Sequence, residues 1–548
     1  MKLKKIIFFA VLTSTALVSC KKDHQTTNGS PGQQPGNTPY TVAQINAEIQ
    51  SQLNKNGTFS WQNTNDELLY SAVILGDSLL TIGYSSEENN AIRVESISPQ
   101  QQLSRISKAD AKSAGINIEG IRDNILQQIR ADEHQKKSAG STETYGKGDV
   151  LQYESPKLTS MIVKIGNLST LQKLRQSKQI RYLDPSNYNK NLIKQGAINN
   201  SGIVTNSSSS GSDPGSVTVD PNWFSTASDG SIIPKVYEAQ HIPDAWQYST
   251  GKGITVGVID NGVYSTQPVF DAQFNSGVST GRKIAKYGTF KGSTSTSDGV
   301  FIQDDDLAKG HGNSMAALIA APRASGIPVG IAYNCNLLTY RGTDFFLLYG
   351  SKQQEGVAKA LMDLADNSDV KIISMSNGWI WDVSMIADAV KYAHGKGKMI
   401  IAAGGTSIAA FNVFLTINIP DIIGVPFPGN MKEAVAATGT NYSTNTSLVK
   451  CAECHEGPEI SFTTTTASAP SVNNVLLVVG NKSAIYQNTS SSSASTAINA
   501  GIAALVWGAH PSWTRDQVLQ RMQQSARFYP NKDAKLGYGP IDVLKAVK

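Results

Sequence analysis

The sequence has few charged residues, few cysteines and, after its first twenty residues, no apolar run long enough to span a membrane. Charged residues make up 17% of the 548 residues, against about 25% in typical soluble domains. The net charge of +5 forms no basic stripe with interleaved aromatic residues, which argues against a nucleic-acid partner. The 40% hydrophobic content excludes disorder throughout. At about 150 residues per domain, the length indicates three or four units.

The first twenty residues have the pattern of a secretory signal. Lysines near the start precede an apolar run over residues 6–18, which is too short to cross a bilayer. The run ends in Leu17-Val18-Ser19-Cys20. This ending resembles a bacterial lipobox, which implies that residues 1–19 are removed and that Cys20 carries lipid; ordinary cleavage with a leftover cysteine is the alternative. Residues 20–40 are rich in Gln, Gly, Pro, Asn and Thr, and we expect them to act as a tether.

Three cysteines remain for the folded part, and an odd number leaves at least one thiol free or paired elsewhere. Cys335 lies in a predicted strand and is expected to be a buried, small apolar side chain. Cys451-Ala-Glu-Cys454-His455 spells the attachment motif of c-type haem, so a haem protein is one hypothesis. Because no haem-domain helices flank the motif, a local disulfide or a paired thiol is preferred.

The chain before residue 233 is predicted to form an α+β region followed by a linker. Residues 41–195 contain helical and strand-like patterns, including a strand, a helix and a strand over residues 161–185. Residues 196–232 are dominated by Ser, Asn, Gly and Asp. This composition is typical of a linker that a protease can reach.

From residue 233 to residue 548, apolar strands alternate with amphipathic helices. Strand patterns occur at 254–259, 370–375 and 399–403, and helical patterns at 357–365 and 384–394. This alternation predicts an α/β domain with a doubly wound parallel sheet that is covered on both faces. In such sheets the reacting groups gather at the carboxyl ends of the strands.

Three residues in this domain have the side chains of a serine hydrolase. Asp260 ends a predicted buried strand, His311 lies where a loop meets a helix, and Ser493 precedes a helix of small residues. A serine nucleophile needs an imidazole to accept its proton and a carboxylate to orient that imidazole. The alternative is that the serines merely cap a helix.

The surrounding segments strengthen this interpretation. They are the strand ending in Asp260, Gly310-His311-Gly312-Asn313-Ser314-Met315, Ser374-Met375-Ser376-Asn377-Gly378 and the helix from Ser491 through Gly501. These segments resemble those of the subtilases, the subtilisin-like serine peptidases, over residues 234–548. The resemblance implies that Ser493 attacks the scissile carbonyl, that His311 acts as general base and then acid, and that Asp260 holds the imidazole tautomer. It also implies that substrate backbone binds along two segments: Ser374, Met375, Ser376, Asn377 and Gly378, and Ala402, Ala403 and Gly404. The register depends on the step from Ser493 to Gly501, and with Ser490, Ser491, Ser492 and Ser495 nearby a shift by one stays open.

One departure from the family concerns the oxyanion. In the family an Asn donates a hydrogen bond to the oxyanion, but Gly405 stands at that position here. In subtilisin the loss of this donor slows turnover about a hundred- to a thousandfold, so we expect a slow enzyme. Asn377, Asn412 or a backbone N–H of Gly405 or Thr406 could replace the donor. Smaller departures near the site are Ser491, Ala497 and Asn313.

The segment over residues 161–185 also resembles the second half of a subtilase propeptide, with a retained binding domain as the alternative. The loop over residues 408–428 is expected to lie beside the primary specificity pocket, with Phe411, Phe414 and Leu415 shaping that pocket. The acidic loop over residues 303–306 could bind calcium, but its spacing matches no calcium loop, so we assign no metal and no cofactor.

The sequence therefore predicts an exported, membrane-anchored serine endopeptidase that acts on proteins or peptides, on the periplasmic face or at the cell surface, as a monomer. The alternative is a catalytically weakened lipoprotein that binds extended peptides along residues 374–378.

Overall fold

The computed structural model describes residues 38–91, 97–135, 150–194, 221–265, 267–290, 300–301, 310–406, 415–418, 420, 423–442, 448–451, 454–468, 477–479, 486–488 and 491–548. Several sequence predictions lie outside these residues. They are the signal and Cys20, the acidic loop 303–306, most of the linker, Phe411, Asn412, Phe414 and Ser490.

Residues 38–194 form an α+β region on a four-stranded antiparallel sheet. The strands are β1 (Leu79–Tyr84), β2 (Leu151–Glu154), β3 (Ser160–Lys164) and β4 (Ile180–Pro185), in the order β2-β3-β1-β4. The helices are α1 (Val42–Asn56), α2 (Asp66–Leu75), α3 (Glu87–Ala91), α4 (Pro99–Ile106), α5 (Lys108–Ser113), α6 (Ile118–Gln135) and α7 (Leu168–Gln176). The predicted α+β character of this region is confirmed.

Residues from 221 onward are built on an eight-stranded sheet. The further strands are β5 (Phe224–Thr226), β6 (Ile232–Pro234), β7 (Thr255–Asp260), β8 (Val263–Tyr264), β9 (Ile284–Gly288), β10 (Val300–Phe301), β11 (Asn336–Arg341), β12 (Val370–Met375), β13 (Met399–Ala403), β14 (Ala434–Tyr442), β15 (Val449–Lys450), β16 (Ile460–Ser468), β17 (Leu477–Val479) and β18 (Tyr486–Asn488). The large sheet has the order β15-β14-β13-β12-β7-β11-β9, with β16 also beside β14. Its neighbours are parallel except for β14 and β15, which confirms the predicted parallel sheet.

Helices cover both faces of this sheet. They are α8 (Ile242–Ala245), α9 (His311–Ala320), α10 (Ser351–Asp366), α11 (Ser384–Gly395), α12 (Ser492–Ala509), α13 (Arg515–Gln524) and α14 (Val543–Val547). Helices α10 and α11 belong to the hydrophobic core on one face, and α9 and α12 belong to the core on the other. Strand β7 lies between β11 and β12, so the strand order reverses there. In open α/β sheets the carboxyl ends at such a reversal form the usual ligand crevice.

The N-terminal region packs against α10 and α11 and shares their hydrophobic core. At this interface Arg181 on β4 forms a buried ion pair with Asp388 on α11, with 2.6 Å between Nη2 and Oδ2. The hydroxyl of Tyr182 donates to the same carboxylate at 3.1 Å. Two buried rings also meet across the interface, those of Phe59 and Trp381, with centroids 4.9 Å apart. Residues 38–548 consequently form one compact unit.

Among the described helices, none combines the length and the apolar character that crossing a bilayer requires.

Candidate active site

Asp260 and His311 meet at the carboxyl end of β7. The His311 ring donates from Nδ1 to the Asp260 carboxylate, 2.9 Å from each oxygen. Because this donation places the proton on Nδ1, the neutral ring has Nε2 free to accept a proton. Burial disfavours the charged ring, but the charge of Asp260 and its hydrogen bond outweigh burial and raise the pKa of His311.

The turn after Asp260 fixes the start of helix α9. The backbone N–H of Asn261 donates to Asp260 Oδ1 at 2.8 Å, and the Asn261 side chain accepts from the N–H of Gly312, also at 2.8 Å. A Cβ at position 312 would lie 2.5 Å from the carbonyl oxygen of Gly262. Glycine at this position therefore lets α9 approach β7 closely enough for His311 to reach Asp260.

The start of α12 distinguishes Ser493 from the serines beside it. Ser491 Oγ accepts from the N–H of Ala494, Ser492 Oγ lies 2.7 Å from Thr406 Oγ1, and Ser495 Oγ donates to the carbonyl of Thr438. These three serines are buried, whereas Ser493 is partly exposed. Within the described part of the chain, Ser493 is thus the serine of this turn whose hydroxyl has no hydrogen-bond partner.

Two hydrogen bonds connect this helix end and β7 to the segment after β12. Ser376 Oγ donates to the carbonyl oxygen of Ser493 at 3.1 Å, and Asn377 Nδ2 donates to the carbonyl oxygen of Ile259 at 2.8 Å. No hydrogen bond joins Ser493 to His311 among the described residues, and such catalytic contacts commonly tighten only when substrate binds. Asn377 is 2% exposed and bonded to β7, which differs from the expectation that its amide is available to an oxyanion.

Gly405 lies in crowded surroundings beside a disulfide-bonded loop. Its φ is 102°, and a Cβ there would lie 2.7 Å from Pro426 Cδ and 2.9 Å from His455 Cγ. The carbonyl of Gly405 accepts from the N–H of His455 at 2.9 Å. Cys451 and Cys454 form a disulfide, which uses both sulfurs that covalent haem attachment would need.

The predicted substrate-binding segments are only partly accessible. Ser374 and Met375 lie inside β12, paired with β7 and β13, and are 1% and 0% exposed. Ala402 is likewise paired on both sides within the sheet, and the N–H of Gly404 donates to the carbonyl of Ala437. These four residues are therefore not placed to pair with a substrate as the sequence analysis expected, whereas Ala403 is partly exposed at the end of β13.

Gly378 is paired with a neighbouring segment of the chain, residues 345–348. The N–H of Gly378 donates to the carbonyl of Phe346 at 2.9 Å, and the N–H of Leu348 donates to the carbonyl of Gly378 at 3.0 Å. The Phe346 ring lies beside the His311 ring, with centroids 5.8 Å apart and ring planes tilted by 39°. Residues 345–348 are not among the residues predicted from the sequence, although two phenylalanines followed by two leucines are a visible signal there.

Two other predicted residues, Leu415 and Cys335, are buried. Leu415 is 2% exposed and forms a β-bridge with Ile193 of the N-terminal region. Cys335 is a buried free thiol, as predicted, and burial raises its pKa to about 12. Among the described residues, no group of three or more His, Cys, Asp or Glu side chains is arranged to hold a metal ion.

A model described as the subtilase family matches residues 251–539, slightly more than half of the chain. The chain belongs to the subtilase family. Among curated relatives, the thermostable alkaline protease of Halalkalibacterium halodurans is 29% identical over 219 residues, covering 40% of this chain and 53% of that protein. The alkaline elastase YaB of a Bacillus species is 27% identical over 299 residues, covering 55% of this chain and 66% of that protein.

Among solved structures, fervidolysin from Fervidobacterium pennivorans, described as a keratinolytic enzyme related to subtilisin, matches with a TM-score of 0.54. The two proteins are 15% identical, and the match covers 86% of this chain and 60% of fervidolysin. At this identity the likeness establishes the subtilisin-like fold. This subtilase chain thus spans about half to two thirds of the first relatives that it matches.

Proposed function

We propose that this subtilase is a serine endopeptidase with Ser493 as nucleophile, His311 as general base and acid, and Asp260 as the residue that orients His311. The observation that carries the proposal is that the hydroxyls of the neighbouring serines are already hydrogen-bonded. Ser491, Ser492 and Ser495 are buried with hydrogen-bonded hydroxyls, which leaves Ser493 for chemistry. The Asp260 to His311 hydrogen bonds supply the matching base.

The reaction would follow from these positions. Ser493 Oγ bonds to the carbonyl carbon of the scissile peptide while its proton passes to His311 Nε2. The carbon–nitrogen bond then breaks, and His311 returns the proton to the leaving amine, which gives an acyl-enzyme. Water attacks the acyl-enzyme, His311 accepts the proton of that water, and Ser493 leaves with the proton restored.

A fluorophosphonate probe tests this proposal directly. The full chain is incubated with the probe, beside Ser493→Ala and the control Ser495→Ala, and the labelled residue is mapped by mass spectrometry. We expect labelling at Ser493 in the wild type and in Ser495→Ala, and none in Ser493→Ala. An unlabelled wild-type chain that is folded and freed of residues 38–194 would contradict the proposal.

A second candidate is a peptide-binding protein with little or no activity. It is favoured by Gly405, which offers no side-chain donor to an oxyanion. Gly378 has the N–H and C=O groups with which an extended peptide could add as a strand. On either proposal, a peptide that pairs with Gly378 must displace residues 345–348.

We further propose that the protein is made as an exported precursor, anchored by lipid on Cys20, in which residues 41–195 act as a propeptide. The support for a propeptide is the extensive buried interface with α10 and α11, including the Arg181–Asp388 pair. Cleavage would fall in the Ser-rich linker at residues 196–232. If cleavage is autocatalytic, Ser493→Ala should accumulate the uncleaved chain on a denaturing gel, whereas processing of Ser493→Ala at the wild-type rate would rule out self-cleavage.

A further inference from the structure

Position 405 cannot supply the oxyanion donor that the subtilase family places there. Gly405 has a left-handed φ, and any side chain on it would run into Pro426 and His455. A side-chain donor for the oxyanion must therefore come from another residue near Ser493.

The backbone N–H groups in the first turn of α12 differ in the acceptors that the described residues give them. The N–H of Ala494 donates to Ser491 Oγ at 3.2 Å, and the N–H of Ser492 donates to Thr406 Oγ1 at 3.1 Å. The N–H of Ser493, between them, has no acceptor among the described residues. Unpaired N–H groups at a helix start are suited to binding a negative charge, so this N–H is placed to be the first oxyanion donor.

Thr406 stands directly after Gly405, and its hydroxyl is tied to the same turn. Thr406 Oγ1 lies 3.1 Å from Ser492 N and 2.7 Å from Ser492 Oγ. A hydroxyl oxygen can accept two hydrogen bonds and donate one. With the N–H and the O–H of Ser492 both donating to Thr406, the proton of Thr406 is left to donate elsewhere.

Exposure favours this direction of the hydroxyl pair. Ser492 is 1% exposed, whereas Thr406 is partly exposed. If Thr406 donated to Ser492 instead, the free proton would lie on the buried hydroxyl, away from a substrate.

We propose that the Thr406 hydroxyl replaces the missing amide and stabilises the oxyanion together with the N–H of Ser493. The inference rests on the proposed endopeptidase function. As Ser493 Oγ bonds to the carbonyl carbon, the electron pair of the C=O double bond moves to oxygen, and Thr406 donates a hydrogen bond to that oxygen without forming a covalent bond. Donors of this kind act mainly in the transition state, so they affect kcat more than KM.

Thr406→Val keeps the size of the side chain and removes the hydroxyl. We expect kcat for a peptide substrate to fall about 10- to 100-fold with KM nearly unchanged, and Thr406→Ser to retain most of the activity. Thr339→Val is a matched control because Thr339 Oγ1 on β11 has no hydrogen-bond partner among the described residues. The kcat of this variant should equal that of the wild type. Affinity for a peptide aldehyde, which forms a tetrahedral adduct, should fall in parallel with kcat.

Three results would overturn the inference: an unchanged kcat in Thr406→Val, an equal loss in Thr406→Ser, or a loss confined to KM. Should Thr406→Val fail to fold, Thr406→Ser and Thr406→Cys provide the comparison, because a thiol is a weaker donor than a hydroxyl and should lower kcat. Failure of this inference is distinct from failure of the proposed function. In the first case wild-type Ser493 is labelled by the fluorophosphonate and Thr406 has no effect, and in the second case wild-type Ser493 is not labelled at all.

Discussion

The two halves of the candidate site differ in how they are assembled. In the acid-base half, Asp260 accepts hydrogen bonds from His311 and from the N–H of Asn261, and Asn261 in turn accepts from Gly312. In the nucleophile half, the Ser493 hydroxyl has no hydrogen-bond partner among the described residues, and Gly405 has no side chain to offer an oxyanion. Three of the departures from the family pattern, Gly405, Ser491 and Ala497, lie in the nucleophile half. Asn313 is the departure in the acid-base half.

This contrast separates two requirements of the chemistry. Orienting a histidine needs a carboxylate at hydrogen-bond distance from the ring. Few other residues can take the place of that carboxylate. Stabilising an oxyanion needs only a donor at the right place, which different residues can provide. The nucleophile half can therefore change its residues while keeping its function.

The largest effect should come from the acid-base half. Asp260→Asn should lower kcat about 10⁴-fold, because an amide no longer fixes the tautomer of His311 or stabilises its charged form. Asp244→Asn is a matched control, since Asp244 also pairs with a histidine, His241, but both side chains are more than half exposed. Peptide hydrolysis by the two variants measures the difference. A loss below about tenfold in Asp260→Asn would erase the contrast between the halves.

Restoring the family residue should harm the nucleophile half. Gly405→Asn combines a left-handed backbone, which asparagine tolerates better than most residues with a Cβ, with overpacking worth about 1–3 kcal/mol. We expect a lower free energy of unfolding in denaturant and no gain in kcat.

Gly326→Asn controls for the backbone alone, because Gly326 has a φ of +73° and no atom within 4 Å of its added Cβ. It should lower the free energy of unfolding less than Gly405→Asn does, because asparagine tolerates a left-handed backbone and no atom crowds this position. A gain in kcat from Gly405→Asn would mean that the loop of Cys451, Cys454 and His455 can make room, and that the missing amide is the only defect of this half.

A smaller effect should follow from loosening residues 345–348. Leu347 is 2% exposed, and Leu347→Ala weakens the packing that holds this segment against Gly378. If substrate has to displace the segment, KM should fall several-fold, up to about tenfold, because each net hydrogen bond contributes about 0.5–1.5 kcal/mol. Val518→Ala, in the core on the other face of the sheet, should lower stability without lowering KM. An unchanged KM in Leu347→Ala would show that peptides bind without displacing residues 345–348 from Gly378.

The sequence predicted the acid-base half better than the nucleophile half for a physical reason. Strand and helix periodicity locate Asp260 at a strand end and His311 at a helix start, and the parallel sheet brings such ends together. The Thr406 and Ser492 hydroxyls meet across 86 residues. Their contact depends on how two loops pack, which no local pattern encodes.

The same limit applies to the N-terminal region. Its α+β composition follows from local patterns, but the Arg181–Asp388 pair joins residues that are 207 positions apart. The pairing of Gly378 with Phe346 and Leu348 is also a contact between loops. Ser374 and Met375 were expected to contact substrate because they lie in the matching segment, yet the sheet buries them on both sides.

The pH dependence of activity should separate the two halves, because one half sets the position of the acid limb and the other sets the height of the plateau. The proposed mechanism needs a neutral His311, and the pKa of His311 is raised because Asp260 outweighs the opposing effect of burial. Activity should therefore rise with pH through a value above the ordinary histidine pKa of about 6.5. In Asp260→Asn only the effect of burial remains, so the acid limb should move to lower pH, as measured by the pH dependence of fluorophosphonate labelling. Thr406→Val should lower the plateau without moving the limb, because Thr406 carries no charge. A limb that moves in Thr406→Val, or stays fixed in Asp260→Asn, would mean that the two halves are not separable in this way.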